Sequence, residues 1–313
     1  MASGIHHVTS IAGSARRNLD FYTHTLGLRL VKKTVNFDDP GSYHFYYGDA
    51  AGHPGTILTF FPWEGASPGR PGVGAVQETV FSVPEGSIGY WTQRLIEKGV
   101  AHDQPIRRFG ETALAFKDPD GTRLALTGVR SLEAKPAWSA GGVPAEHAIR
   151  GFHSVSVLLA QAGPTAAVLT DVFGFVATGA EDSTQRYLAP GVELGGVVDL
   201  RTAGEFLTAR QGAGSVHHIA FRAADDAAQA AMAQKLVQDH HLRPTEQKDR
   251  NYFRSIYFRE PGGVLFEIAT DIPGFAVDEP VATLGRDLKL PSFLEQHRKQ
   301  IEGVLPSLEA TAS

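Results

Sequence analysis

The chain has 313 residues, 42% hydrophobic and 20% charged, which is enough for one large or two ordinary cored domains and excludes a disordered chain or a mini-protein. A formal charge of −5 with no basic block argues against nucleic acid as a partner, and no run approaches the ~20 apolar residues of a membrane span. There is no cysteine, so disulfides, thiolate metal sites and a cysteine nucleophile are excluded together, and any metal must be held by His, Asp, Glu or water. The first residues, MASGIHHVTSIAGSARR, lack the charged start and apolar core of a signal peptide, and the expectation is a cytoplasmic protein.

In chain order, a β-branched alternating run from Ile5 to Ile11 reads as a strand, followed by a helix over Leu19 to Leu28 whose aromatic-rich apolar face ends at a glycine. A second strand-like run, Val76 to Val83, precedes a helix over Tyr90 to Val100 and a hairpin, Phe116-Lys-Asp-Pro-Asp-Gly-Thr-Arg-Leu-Ala-Leu126, in which Asp-Pro-x-Gly reverses the chain. Residues 133–150, rich in Ala, Gly and Pro, read as a linker. Beyond it the pattern resumes with a strand over Phe152 to Leu159 and a helix over Val168 to Phe175. The last unit has a strand over Val216 to Phe221, a helix over Ala231 to Leu242 and a second copy of the hairpin, Phe258-Arg-Glu-Pro-Gly-Gly-Val-Leu-Phe-Glu-Ile268. Four units of roughly 65 to 75 residues therefore follow one another, each too small to bury much surface alone, so they are expected to pair. The boundaries expected are a two-unit domain over 1–132, a second over 151–276, and a tail over 277–313 with one helix from Phe293 to Leu305. The added helix suggests a homo-oligomer.

The two hairpins differ at one telling position: Glu267 in the fourth unit stands where the second has Ala125. An acid between Phe266 and Ile268 in an apolar strand must find a partner or remain costly, and Ala125 indicates that the strand itself needs no acid there. Histidines mark the first strands. His6-His7 and His217-His218 are adjacent pairs, and His153 begins the third unit's strand. Either His7 or His153 could join His218 and Glu267: His153 if the third unit pairs with the fourth, His7 if the first does. Asp199, His153 and Glu78 form a second polar set, read as structural.

The four βαβββ units, His-His-Val-Thr near the N-terminus, Phe21-Tyr22 before Leu26-Gly27-Leu28, Gly-Ser-Val-His-His-Ile-Ala-Phe221 and Gly-Gly-Val-Leu-Phe-Glu-Ile-Ala-Thr270 together resemble the vicinal oxygen chelate superfamily, which includes glyoxalases, bleomycin resistance proteins and extradiol dioxygenases. Within it the chain is most similar to the dioxygenases that cleave hydroquinone rings. The resemblance implies an α+β fold, with four βαβββ modules in two tandem domains of curved mixed sheet plus the C-terminal helix. It implies an iron(II) site, manganese(II) being indistinguishable by ligand type, on His218, Glu267 and His7, with His153 the alternative third ligand. His6, Thr9 and His217 are then expected behind the ligands, and Tyr257 and Arg250 beside the substrate as proton-exchanging and charge-stabilising groups. The implied substrates are a small aromatic diol and dioxygen. Catechol cleavage, a glyoxalase-type metal-dependent lyase or isomerase, and a metal-free aromatic-binding protein are the competing functions. Arg259 and Glu260 read as solvent charges at a turn, His240 and His241 as partners of helix-end carbonyls, and His44 and His53 as residues without chemistry.

Overall fold

The computed structural model describes residues 3–309. The first unit comprises β1 (Ile5–Ala12), α1 (Ala15–Asp20), β2 (Arg29–Asn36), β3 (Asp39–Gly48) and β4 (Ile57–Pro62), and the second β5 (Ala75–Pro84), α2 (Ile88–Glu97), β6 (Ile106–Arg108), β7 (Glu111–Lys117) and β8 (Arg123–Val129). The third is β9 (Gly151–Leu159), α3 (Gly163–Asp171), β10 (Val176–Glu181), β11 (Thr184–Leu188) and β12 (Val197–Thr202). The fourth is β13 (Ser215–Ala223), α4 (Asp226–Gln238), β14 (Lys248–Asp249), β15 (Arg254–Arg259) and β16 (Leu265–Thr270). The fold is α+β, built on curved mixed sheets, as the family resemblance implied.

Local chemistry sets the helix limits. Helix α2 buries Ile88, Trp91 and Leu95, one face at helical spacing. Helix α4 starts five residues before the expected Ala231 because the Asp225 side chain caps it, accepting the Ala228 N–H at 2.8 Å. Gly27 ends the first helical segment at φ +69°, where the buried Val143 of the linker also leaves no room for a Cβ. In the fourth unit His241 takes that left-handed position at φ +53°, and His240 lies 3.5 Å from Asp171 rather than on helix-end carbonyls. The tail helix expected over Phe293 to Leu305 is two short helices, α5 (Ser292–Glu295) and α6 (Arg298–Val304).

The strands form two eight-stranded sheets, β14-β15-β16-β13-β1-β4-β3-β2 and β10-β11-β12-β9-β5-β8-β7-β6. In the first, β1 lies antiparallel to β13; in the second, β5 lies antiparallel to β9. Unit one thus pairs with unit four, and unit two with unit three. The stretches 1–132 and 151–276, expected as two-unit domains, each contribute one unit to each sheet, so the sheet boundary does not follow the linker. Chain neighbours are joined by other contacts: the Tyr22 hydroxyl donates to Asp118 at 2.9 Å, and the Thr165 hydroxyl donates to Glu260 at 2.5 Å. Those two acids hold the same place in the repeated hairpins. Glu260 is therefore no solvent charge; it is buried and also accepts the Gly262 and Val264 N–H groups, while Arg259 stays exposed. One apolar core runs through all four units, including Tyr22, Trp91, Phe173 and Phe221. No helix among the described residues is long and apolar enough to cross a membrane.

Candidate metal centre

Strands β1, β13 and β16 are neighbours, and their register aligns His7, Ala220 and Glu267 in one row, with His218 opposite Thr9 two rows on, on the same face. His7, His218 and Glu267 converge, all buried. His7 Nε2 is 3.3 Å from His218 Nε2 and 3.3 Å from Glu267 Oε2, and His218 Nε2 is 2.9 Å from the same oxygen. The other carboxylate oxygen, Oε1, accepts the Ser255 hydroxyl at 2.5 Å. Oε2 is close to both rings yet in hydrogen-bond alignment with neither, so it is a buried acceptor without a partner. Burial alone would push the Glu267 pKa up, but His7 and His218 overcome it and hold the group well below the usual carboxylate range. Burial lowers the pKa of His218 against the opposing pull of Glu267, which keeps that ring neutral.

Two β-bulges supply the next layer. In β1, Ile5 pairs with Phe221 and His7 with Ala220, leaving His6 as the extra residue; in β13, His218 pairs with Thr9 and Val216 with Ser10, leaving His217. Simple alternation would turn each of these histidines away from its neighbour. The bulge instead sets His6 Nδ1 2.9 Å from His7 Nδ1 and His217 Nδ1 2.8 Å from His218 Nδ1. Burial drives the pKa of His6 well below its ordinary value and that of His217 down to about 3, so each is a neutral ring able to accept the Nδ1–H of the next. With the proton on Nδ1, the Nε2 lone pairs of His7 and His218 point at each other and at Glu267 Oε2.

His153 is in the other sheet. In β9, Val80 pairs with Ser154 and Phe81 with Phe152, so His153 occupies the bulge, equivalent to His217, and Ser154 stands where His218 does. Its ring contacts Ser154 Oγ at 3.0 Å and Glu111 at 3.0 Å. The marker used to align the third unit by sequence was thus one residue early, and His153 is not among the three converging residues.

A cavity of about 30 Å³ lies against the cluster, lined by Thr9, Tyr257 and Arg250, with Phe61 and Phe253 as walls. Larger hollows, about 720 and 730 Å³, lie elsewhere and hold no such cluster among the described residues. The Tyr257 ring packs edge-on against His218, with centroids 5.6 Å apart, and the Arg250 guanidinium reaches the Tyr257 oxygen at 3.4 Å. Burial and the Glu267 charge push the Tyr257 pKa up, so the phenol keeps its proton.

Sequence reasoning missed His44. Its Nε2 is 2.8 Å from Thr59 Oγ1, which donates to Thr9 Oγ1 at 2.9 Å, and the Tyr46 hydroxyl lies 2.9 Å from its Nδ1. Its place follows from register, which only the paired strands show: Tyr46 pairs with Thr59 as Tyr257 pairs with Glu267, and His44 stands two before Tyr46 as Ser255 stands two before Tyr257. Asn36, Phe37 and Asp38, at the β2–β3 turn, were also missed as cavity residues.

Residues 4–126 match the Glyoxalase/Bleomycin resistance protein/Dioxygenase superfamily. A Bacillus subtilis protein named "Putative ring-cleaving dioxygenase MhqO" is 47% identical over 304 residues, 97% of this chain and 96% of that protein. The chain belongs to this superfamily. The chlorohydroquinone/hydroquinone 1,2-dioxygenase of Sphingobium indicum is 34% identical, with 93% of this chain and 92% of that protein aligned. A crystal structure of a B. subtilis protein superposes with a TM-score of 0.93 at 46% identity, covering 98% of each chain.

Membership, with a buried His-His-Glu set, implies a metal ion, and the donor atoms fit one. Ligands about 2.1 Å from a metal and at right angles to each other lie about 3.0 Å apart, close to the separations of 2.9 to 3.3 Å found here. A cation would also satisfy the unpartnered Oε2.

Proposed function

We propose that this protein is a ring-cleaving dioxygenase that opens substituted hydroquinones with dioxygen at a mononuclear iron(II) ion held by His7, His218 and Glu267. The observation that carries this reading is the buried Oε2 of Glu267, without a hydrogen-bond partner and facing the Nε2 atoms of two histidines. Two nitrogens and one carboxylate are the facial donor set of non-haem iron oxygenases. The names of the relatives supply the substrate class.

When bound by His7, His218 and Glu267, the ion would supply a redox-active Lewis acid toward a phenolate oxygen and dioxygen. The protein does the rest. His6 and His217 hold the ligand rings in the tautomer that presents Nε2, and Ser255 holds the carboxylate through Oε1. Tyr257 keeps its phenolic proton at neutral pH and exchanges it with the substrate oxygen or the ring-opening product. Arg250, positively charged beside it, favours the anionic form of the diol and the carboxylate that forms on cleavage. Phe61 and Phe253 present apolar faces to the ring and exclude water.

The test is oxygen uptake by protein loaded anaerobically with iron(II), with methylhydroquinone and methylcatechol offered to wild type, His7→Ala and His153→Ala. Uptake with the hydroquinone that survives in His153→Ala and disappears in His7→Ala is expected. No uptake with either diol in protein that retains iron would overturn the function.

A further inference from the structure

The cavity beside His7 and His218 has a volume of about 30 Å³, far below the roughly 300 to 1,000 Å³ of pockets that bury a small-molecule ligand. Some wall must move. Most of the lining is fixed in the sheet: Tyr46 and Tyr257 lie in ladders with Thr59 and Glu267, and Phe61 belongs to β4, which pairs with β1. The remaining cover consists of two turns that meet over the sheet, Phe37–Asp38 between β2 and β3 and Arg250–Asn251 between β14 and β15. They are joined by one ion pair, Arg250 Nη2 to Asp38 Oδ2 at 3.0 Å.

The two turns are anchored unequally. The second is tied down by Tyr252, which is buried and donates to Asp278 at 3.0 Å, and by buried Phe253. In the first, the Asp38 N–H is satisfied by Asn36 of the same turn, and the Asp38 side chain is 67% exposed. Phe37 meets Phe293 of α5 edge-on at 5.9 Å, where Phe293 is itself exposed, and packs half-buried against Val35, Leu290 and Ile301. An ion pair with one solvated partner breaks easily. Behind the turn, the tail is firmly placed: Lys289 N–H donates to Lys33 O at 2.9 Å on edge strand β2, and Leu290 and Ile301 bury against Val35.

We propose that the Phe37–Asp38 turn is a gate over the metal centre, latched by Asp38 on Arg250 and backed by the C-terminal tail, which opens to admit the ring and closes to set Arg250 over it. Asp38 is thus a positioning residue, acting through Arg250. The identity of the entering ring rests on the proposed function; the opening does not.

Amide hydrogen exchange on metal-free protein tests the opening without substrate. Exchange across residues 37–41 becomes several-fold faster in Asp38→Ala, Asp38→Glu restores protection, and the β4 and β15 amides are unchanged. Phe293→Ala gives a smaller increase in the same residues. Stopped-flow binding of methylhydroquinone to iron-loaded protein without oxygen then shows faster association in Asp38→Ala, while kcat falls and the unfolding midpoint holds. Unchanged exchange of the turn in Asp38→Ala, or exchange that rises in β4 and β15 to the same extent, overturns the gate, whatever the protein's activity. A turn that opens as described in a protein that binds no diol refutes the proposed function and leaves the gate standing.

Discussion

The two sheets share a backbone plan and differ in what their side chains leave unsatisfied. The bulges that place His6 and His217 in the first sheet recur at Gln77 and His153 in the second. The row His7, Ala220, Glu267 has its counterpart in Glu78, Ser156, Asp199, and Ser154 and Ala125 stand where His218 and Thr59 do. Tyr257, across from Glu267, is replaced by Arg186, across from Asp199. That exchange closes the second set. Arg186 grips both Asp199 oxygens at 2.8 Å and reaches Glu111 at 3.1 Å, Glu111 also meets His153, and Arg108 pairs with Glu78. Every acid there has a counter-charge from the protein. In the first sheet, Glu267 faces two histidine rings and has an oxygen left over. A metal-binding concavity thus requires both the curved sheet and an acid that no lysine or arginine of the protein pairs with.

The sharpest way to break this comparison is to remove the corresponding acids. Glu267→Ala is expected to lose bound metal and ring cleavage together, while Asp199→Ala keeps both, as read by metal content and oxygen uptake on the same preparations. Next in size, Arg186→Ala leaves Asp199 without its partner in a pair that is 13% and 11% exposed, and costs about 3 kcal/mol of stability in urea unfolding with turnover retained. His6→Ala and His217→Ala weaken metal binding by about 10- to 100-fold in a chelator competition, because the ligand tautomer is no longer held; Gln77→Ala, at the matching bulge, has no effect. The smallest effect is on pH. Burial lowers the pKa of His6, His44, His217 and His218, so the folded state binds fewer protons than the unfolded chain once pH drops below the free-histidine value of about 6.5. Stability is therefore full above that pH and is lost as pH falls, and the depressed pKa of Glu267 adds a loss of the same sign at lower pH. The thermal midpoint of metal-free protein should decline steadily from pH 7 to pH 5; a flat profile would mean that these rings are hydrated.

Much of the fold was legible because it repeats. The copied hairpin, the glycine after the first and third helices and the alternating first strands are local signals, and each marks an element that formed. Glu267 stood out against Ala125 because an acid in an apolar strand is costly wherever that strand lies. Glu260 misled for the opposite reason: a charge beside a turn looks solvated until a hydroxyl from another unit, Thr165, is found against it. His44 was invisible because its significance depends on the strand beside it, which places Thr59 at its Nε2. The bulges were invisible too, since an extra residue in a strand has meaning only against its partner, and counting without them put His153 one place out of register.

By itself, then, the sequence determined the four units, their elements and the residue types able to hold a metal, because helix stops, turns and alternation act over a few residues. Only the tertiary structure decided that the first unit pairs with the fourth, that the second sheet neutralises its own acids, and that the Phe37–Asp38 turn covers the cavity. Those outcomes depend on contacts between different strands and turns, 13 positions apart for Arg186 and Asp199 and 212 for Asp38 and Arg250, whose free energies appear only once the sheets have closed.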